Sequence, residues 1–123
     1  MTTASPFDAA GFLALAGELV ESPTAGEAAH RTAVSRAYYA VHLKAREALR
    51  RDGRLIPTRT GRDHRLVIET LRNGGGAAGD QLDRLRLQRA RADYDLSAPT
   101  SDGDARAAVG LAGALLNSLE KET

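Results

Sequence analysis

TAGEAAHRTAVSRAYYAVHLKAREALRRDG, residues 24–53, is the stretch that decides the fold. Between Glu27 and Asp52 it contains neither proline nor glycine. Thr24 followed by Glu27 has the spacing of a capping box, in which each side chain accepts the other residue's free N–H. Gly53 is a good helix stop, because glycine adopts the left-handed conformation that ends a helix. Within the stretch, Ala33/Val34, Ala37/Tyr38, Val41, Ala45 and Ala48/Leu49 repeat with a 3.6-residue period. One apolar stripe sustained for that many turns predicts a single helix of about 40 Å, the spine of a bundle.

On either side of this spine the signals are also helical. Ser5-Pro6, with Asp8 in the first turn, predicts a first helix that ends before Ser22-Pro23, with Phe7, Phe12, Leu15, Leu19 and Val20 on one side. A basic loop around Pro57 leads to a short helix over 63–72, with Leu66, Val67 and Leu71 inward. Asn73-Gly74-Gly75-Gly76 is a break. A fourth helix runs from about Asp80 to Tyr94. Ser101 or Asp102 then caps a last one, whose inner residues are Ala108, Val109, Leu111, Ala112, Leu115, Leu116 and Leu119. No run alternates as a strand would. Short connections make neighbouring helices antiparallel, so the expected fold is an all-α antiparallel bundle of four or five helices in a single domain over 1–123.

The 123 residues suffice for one core without staples. The absence of cysteine excludes disulfides and cysteine metal sites, and fits a cytoplasmic location. Residues 1–30 hold no Lys or Arg, so a secretory n-region is missing, and no run approaches the roughly 20 apolar residues that span a bilayer. No metal, cofactor or membrane is expected. The net charge of +1 names no partner, but residues 44–72 carry nine Lys/Arg against four acids, a local +5. That segment is either a solvated face or a surface for nucleic acid or an acidic protein.

The fourth helix breaks its own pattern. At about 100° per residue, Leu82, Leu85 and Leu96 share a face with Arg89 and Asp93, and Arg86 lies at its edge. Charges on an apolar stripe cost several kcal/mol unless paired. Arg89 and Asp93, four apart, are either an ion pair that fixes helix register or part of a polar site in which Arg89 meets a phosphate. The facing wall is expected on the long helix, where Ser35, Arg36, Tyr38, Tyr39 and His42 lie within two turns. Tyr38 and His42 share a face, and a buried Tyr hydroxyl needs a partner.

Ser35-Arg36-Ala37-Tyr38-Tyr39-Ala40-Val41, the segment Gly61 to Ile68, and Arg91-Ala92-Asp93-Tyr94-Asp95 together resemble the HEPN superfamily, helical domains of higher eukaryotes and prokaryotes named for nucleotide binding. The resemblance covers roughly 26–94. It implies an up-and-down four- or five-helix bundle, usually a homodimer, in a toxin–antitoxin or defence setting, with a nucleotidyltransferase antitoxin as a frequent partner. Many members are metal-independent ribonucleases whose late helix carries Arg and, four to six residues on, His. Here no histidine follows Arg86, Arg89 or Arg91 in that helix, and Tyr94 stands near the histidine's place. An Arg-x4-His does occur at Arg59 and His64, but in the basic loop, where His64 reads as a residue at a helix start or an anion contact.

The resemblance therefore implies a nucleotide- or RNA-binding or regulatory module. The alternative is a ribonuclease with Arg89, Asp93 and Tyr94 at its catalytic centre and Arg86, Arg91, Arg36, Tyr38, Tyr39, His42 and His64 as binding residues. In a dimer with two copies of the fourth helix side by side, Arg86, Arg89 and Arg91 line one basic cleft.

Overall fold

The computed structural model describes residues 6–121. Among them are five helices and no strands: α1 (Ala10–Glu21), α2 (Glu27–Arg51), α3 (Arg62–Asn73), α4 (Ala78–Tyr94) and α5 (Asp102–Lys121). α2 packs against each of the other four, as the length of its apolar stripe demands. Ala33, Val34, Ala37, Tyr38, Val41, Ala45 and Leu49 are all buried. They meet Ala16 and Val20 of α1, Val67, Ile68 and Leu71 of α3, Leu82, Leu85 and Ala92 of α4, and Ala105, Ala108, Ala112, Leu115 and Leu116 of α5 in one core.

Helix ends follow local chemistry, not always at the expected residue. α1 begins at Ala10, where Asp8 accepts the Ala10 N–H (3.0 Å). Pro6 and Phe7 precede it, and the expected start at Ser5 lies outside the described residues. Phe7 and Leu15 are exposed, so the inward face of α1 is Ala16 and Val20 with Phe12 and Leu19 at its margin. The Thr24–Glu27 capping box does not form. The N-cap position is Gly26, which has no side chain to offer, Thr24 pairs with Ser22, and Glu27 turns to Arg31. A reciprocal box does form at α5, where Ser101 Oγ accepts the Asp104 N–H (3.0 Å) and Asp104 accepts the Ser101 N–H (2.9 Å). α2 ends at Arg51, with Gly53 at φ 72°.

Leu96 does not lie on the apolar face of α4. The helix ends at Tyr94, the chain turns outward, and Leu96 is 85% exposed. That turn is held from across the bundle by Arg31, whose guanidinium donates to the carbonyls of Ala92 (2.8 Å), Asp95 (3.1 Å) and Ala98 (2.6 Å). α3 and α4 approach closely at Gly79. A methyl group there would lie 2.6 Å from Arg72 Cγ and 2.9 Å from both the Arg72 nitrogen and the Ile68 carbonyl oxygen.

No helix among the described residues is long and apolar enough to cross a membrane.

Candidate functional site

Three elements bring polar side chains to one place. On α2, Ser35, Tyr38, Tyr39 and His42 follow the i, i+3, i+4, i+7 spacing of a single helix face. On α4, Arg86, Arg89 and Asp93 do the same. His64 arrives from the first turn of α3.

The loop before α3 aims His64. Asp63, itself buried, turns its carboxylate back to accept from the Thr58 hydroxyl (2.6 Å), the Thr58 N–H (2.8 Å) and the Arg59 N–H (3.0 Å). Arg46 stands 3.6 Å away. These bonds, led by the Thr58 hydroxyl, hold the Asp63 carboxyl below its usual range. With the loop tied down, the next side chain, His64, points at α2.

There it completes a stack. The His42 and His64 rings lie 4.4 Å apart and nearly parallel, and each lies 5.6 Å from the Tyr38 ring. Tyr39 meets the other three edge-on. The Tyr38 hydroxyl and His64 Nδ1 share a short hydrogen bond of 2.5 Å.

Arg89 covers the tyrosines. Its guanidinium is 5.4 Å from the Tyr38 ring, 5.5 Å from Tyr39 and 5.8 Å from Tyr94. Its side chain is only 12% exposed, and its partner Asp93, 3.6 Å away, is 26% exposed. Asp93 also accepts from the Ser35 hydroxyl (3.2 Å), and Ser35 accepts from Arg36 (3.3 Å). Arg36 is sandwiched between Phe12 (5.1 Å) and Tyr39 (5.0 Å). Arg86 is braced by Asp83 (2.8 Å), whose other oxygen takes Arg72 (3.3 Å).

Burial sets the protonation states. It pushes the Tyr38 phenol up, so Tyr38 is neutral at physiological pH. It pulls His42 down to about 4, with His64 and Arg46 adding to the effect. His64 is lowered by burial first, then by Arg89 and Arg86. Both imidazoles are thus neutral near pH 7, and the fixed positive charge resides on arginine. Two polar atoms of the cluster, His42 Nδ1 and Arg89 Nε, are buried with no hydrogen-bond partner. Buried polar atoms without a partner are rare in folded proteins.

Between α3 and α4, His64 and Arg86 open onto a cleft of about 350 Å³, shared with Arg65, Glu69, Arg72 and Asp83. The three guanidinium groups of this cleft, with the His64 ring in its wall, are suited to holding an anion.

The structure thus brings together Arg36, Tyr38, Tyr39, His42, His64, Arg86, Arg89 and Asp93. Tyr94 sits at the rim, 75% exposed, and meets the cluster through Arg89. Arg91 is not part of it. Two residues on from Arg89, it points about 200° away around α4, into a separate hollow of about 220 Å³ beside Gln88, Thr100 and Asp104. Within one chain Arg91 therefore does not join Arg86 and Arg89; the basic cleft expected of the three arginines belongs to two fourth helices side by side in a dimer. Arg59 is exposed and lies outside the ring stack; the arginines that act on His64 are Arg86 and Arg89 of α4 and Arg46 of α2, not the one in the Arg-x4-His spacing. Sequence reasoning missed Asp63 and Asp83, which aim and brace the site. An acid in the first turn of a helix was the one available signal for Asp63.

Among the described residues no group of His, Asp and Glu is arranged to hold a metal ion. Comparison of the chain with protein-family models, with curated proteins and with solved structures finds no match.

Proposed function

We propose that this chain is a HEPN-like nucleotide- or RNA-binding module with an up-and-down antiparallel bundle, acting in the cytoplasm as a homodimer in a toxin–antitoxin or defence setting. A nucleotidyltransferase antitoxin is the partner in keeping with that setting. The motifs Ser35–Val41 and Arg91–Asp95 support the family reading.

One observation carries the binding reading. Arg89 is held against Tyr38 and Tyr39 with a buried, unpartnered Nε, on the same side as Arg86 and His64. A guanidinium fixed in advance loses little freedom when it meets phosphate, and the exposed Tyr94 ring beside it is open to a base or ribose.

The second reading, a metal-independent ribonuclease, draws on a specific feature too: His64 brings beside Arg89 the histidine that α4 lacks. Burial, Arg89 and Arg86 lower its pKa and favour the neutral ring, a form that can take up a proton but is a poor general acid.

Incubation with tRNA and total RNA without added metal, alongside RNA binding by fluorescence anisotropy, separates the two. Saturable binding without cleavage is expected, weakened about tenfold or more in Arg89→Ala with helicity retained. Cleavage that vanishes in both Arg89→Ala and His64→Ala establishes the ribonuclease instead. Neither binding nor cleavage ends both readings.

A further inference from the structure

We propose that the cleft between α3 and α4 receives a phosphate group of a nucleotide or RNA, and that Tyr38 holds His64 there as a neutral Nε2–H donor, not as a proton carrier. The ligand class rests on the binding reading above. The assignment of the proton does not.

The proton assignment follows from hydrogen-bond accounting. Tyr38 is fully buried, and among the described residues its hydroxyl has one partner, His64 Nδ1. A neutral phenol has one proton to place. If His64 carried its proton on Nδ1 and donated to the phenol oxygen, the phenol proton would be buried with no acceptor, at a cost of about 1–3 kcal/mol. The phenol therefore donates, Nδ1 accepts, and the proton of the neutral ring sits on Nε2.

The surroundings keep the ring neutral. From α2 it is faced by Tyr38, His42 and Arg46, from α4 by Arg86 and Arg89, and from its own helix by Asp63. Asp63 favours a charged imidazole, but its carboxylate is engaged by Thr58 and Arg59; of the two acids across the cleft, Asp83 is engaged by Arg72 and Arg86.

With Nδ1 turned to the interior, Nε2 is the edge of the ring left for the cleft that His64 lines. The same cleft offers Arg65, Arg72 and Arg86 against Glu69 and Asp83. Asp83 sits between Arg72 and Arg86 and fixes both. Arg65 is exposed and has no ion pair among the described residues. A volume of about 350 Å³ admits a phosphate with the attached sugar. A neutral N–H donor suits this wall, because the three guanidinium groups outnumber the two carboxylates and a further cation would add to that excess.

The test uses the full chain labelled with 15N-histidine. In the free protein at pH 7.5, long-range 1H–15N spectra should show His64, identified by its loss in His64→Gln, with a protonated-type Nε2 and an unprotonated-type Nδ1. A Nδ1–H tautomer or a charged ring overturns the assignment. Tyr38→Phe should populate both tautomers. Inorganic phosphate, AMP and a short RNA with a 5′-hydroxyl are then titrated in parallel. Response to AMP and phosphate alone identifies a terminal phosphate, and response to the RNA as well admits a backbone phosphate.

His64→Ala should weaken binding about ten- to a hundredfold. His64→Gln, whose amide N–H can replace Nε2–H, should restore most of it, and failure of that rescue overturns the donor role. If RNA binds in an Arg89-dependent way while His64 does not respond to any of the three, the binding reading stands and the cleft proposal falls. If nothing binds, both fall.

Discussion

Arg89 and Asp93 show how far a pattern of single residues can be read. Plotted at 100° steps they fall on an apolar stripe, and the structure keeps Arg89 there, against aromatic rings more than against its acid. At 3.6 Å the Arg89–Asp93 contact is too long for a good hydrogen bond, whereas three ring faces lie within 6 Å of the guanidinium. Tyr38 and His42 were equally legible, because four residues along a helix is one position on a face. His42 supplies a prediction at this scale. Its pKa falls from an ordinary 6.5 to about 4 on folding, so below pH 6.5 the unfolded chain takes up the proton first. Its stabilising contribution is complete above pH 6.5 and is lost as the pH falls toward 4. The expected loss is roughly 2–3 kcal/mol. Urea unfolding at pH 7 and pH 4.5 should show His42→Leu losing less stability than the wild type over that interval. Equal losses would mean that His42 is charged or solvated in the fold.

Among the elements, the contact of α3 with α4 matters most, since it forms the cleft and sets His64 beside Arg86. Gly79 allows it. Alanine suits a helix better than glycine by about 1 kcal/mol, so in isolation Gly79→Ala would strengthen α4. Against α3 it is expected to destabilise by about 1–3 kcal/mol, because the methyl would meet the Arg72 nitrogen and the Ile68 carbonyl, and backbone cannot swing aside. Chemical denaturation measures the sign directly, and a stabilised variant would show that the two helices separate at little cost. The long helix and its stop at Gly53 were readable from periodicity and glycine chemistry. The starts of α1 and α2 were not. At both, several capping candidates lie within a few residues, and the bonds of Asp8, Ser22 and Thr24 choose among them.

At the scale of the whole molecule, charge is unevenly spread: residues 44–72 are basic, and Arg86 and Arg89 of α4 add to the positive field felt by His64. The proposed homodimer predicts twice the 13.0 kDa chain mass by light scattering. Leu87 and Tyr94, seven residues apart on one side of α4 and both exposed, are the natural contact, so Leu87→Asp should shift the population toward monomer with helicity unchanged. A wild-type protein that remains at 13.0 kDa at high concentration ends the dimer proposal.

By itself the sequence determined the helical class, the spine from Glu27 to Arg51, the apolar faces of α2 and α5, and the conflict between polar and apolar residues on α4. These depend on a 3.6-residue repeat and on the chemistry of neighbouring residues, both local. Only the tertiary structure decided that His64 joins Tyr38 and His42, that Asp63 is buried to aim it, and that Arg91 faces elsewhere. Those outcomes depend on how closely α3 can approach α4 at Gly79 and on how the loop at 58–63 folds back on Asp63. Contacts between residues 22 to 26 positions apart, such as Tyr38 and His42 with His64, leave no periodic trace along the chain.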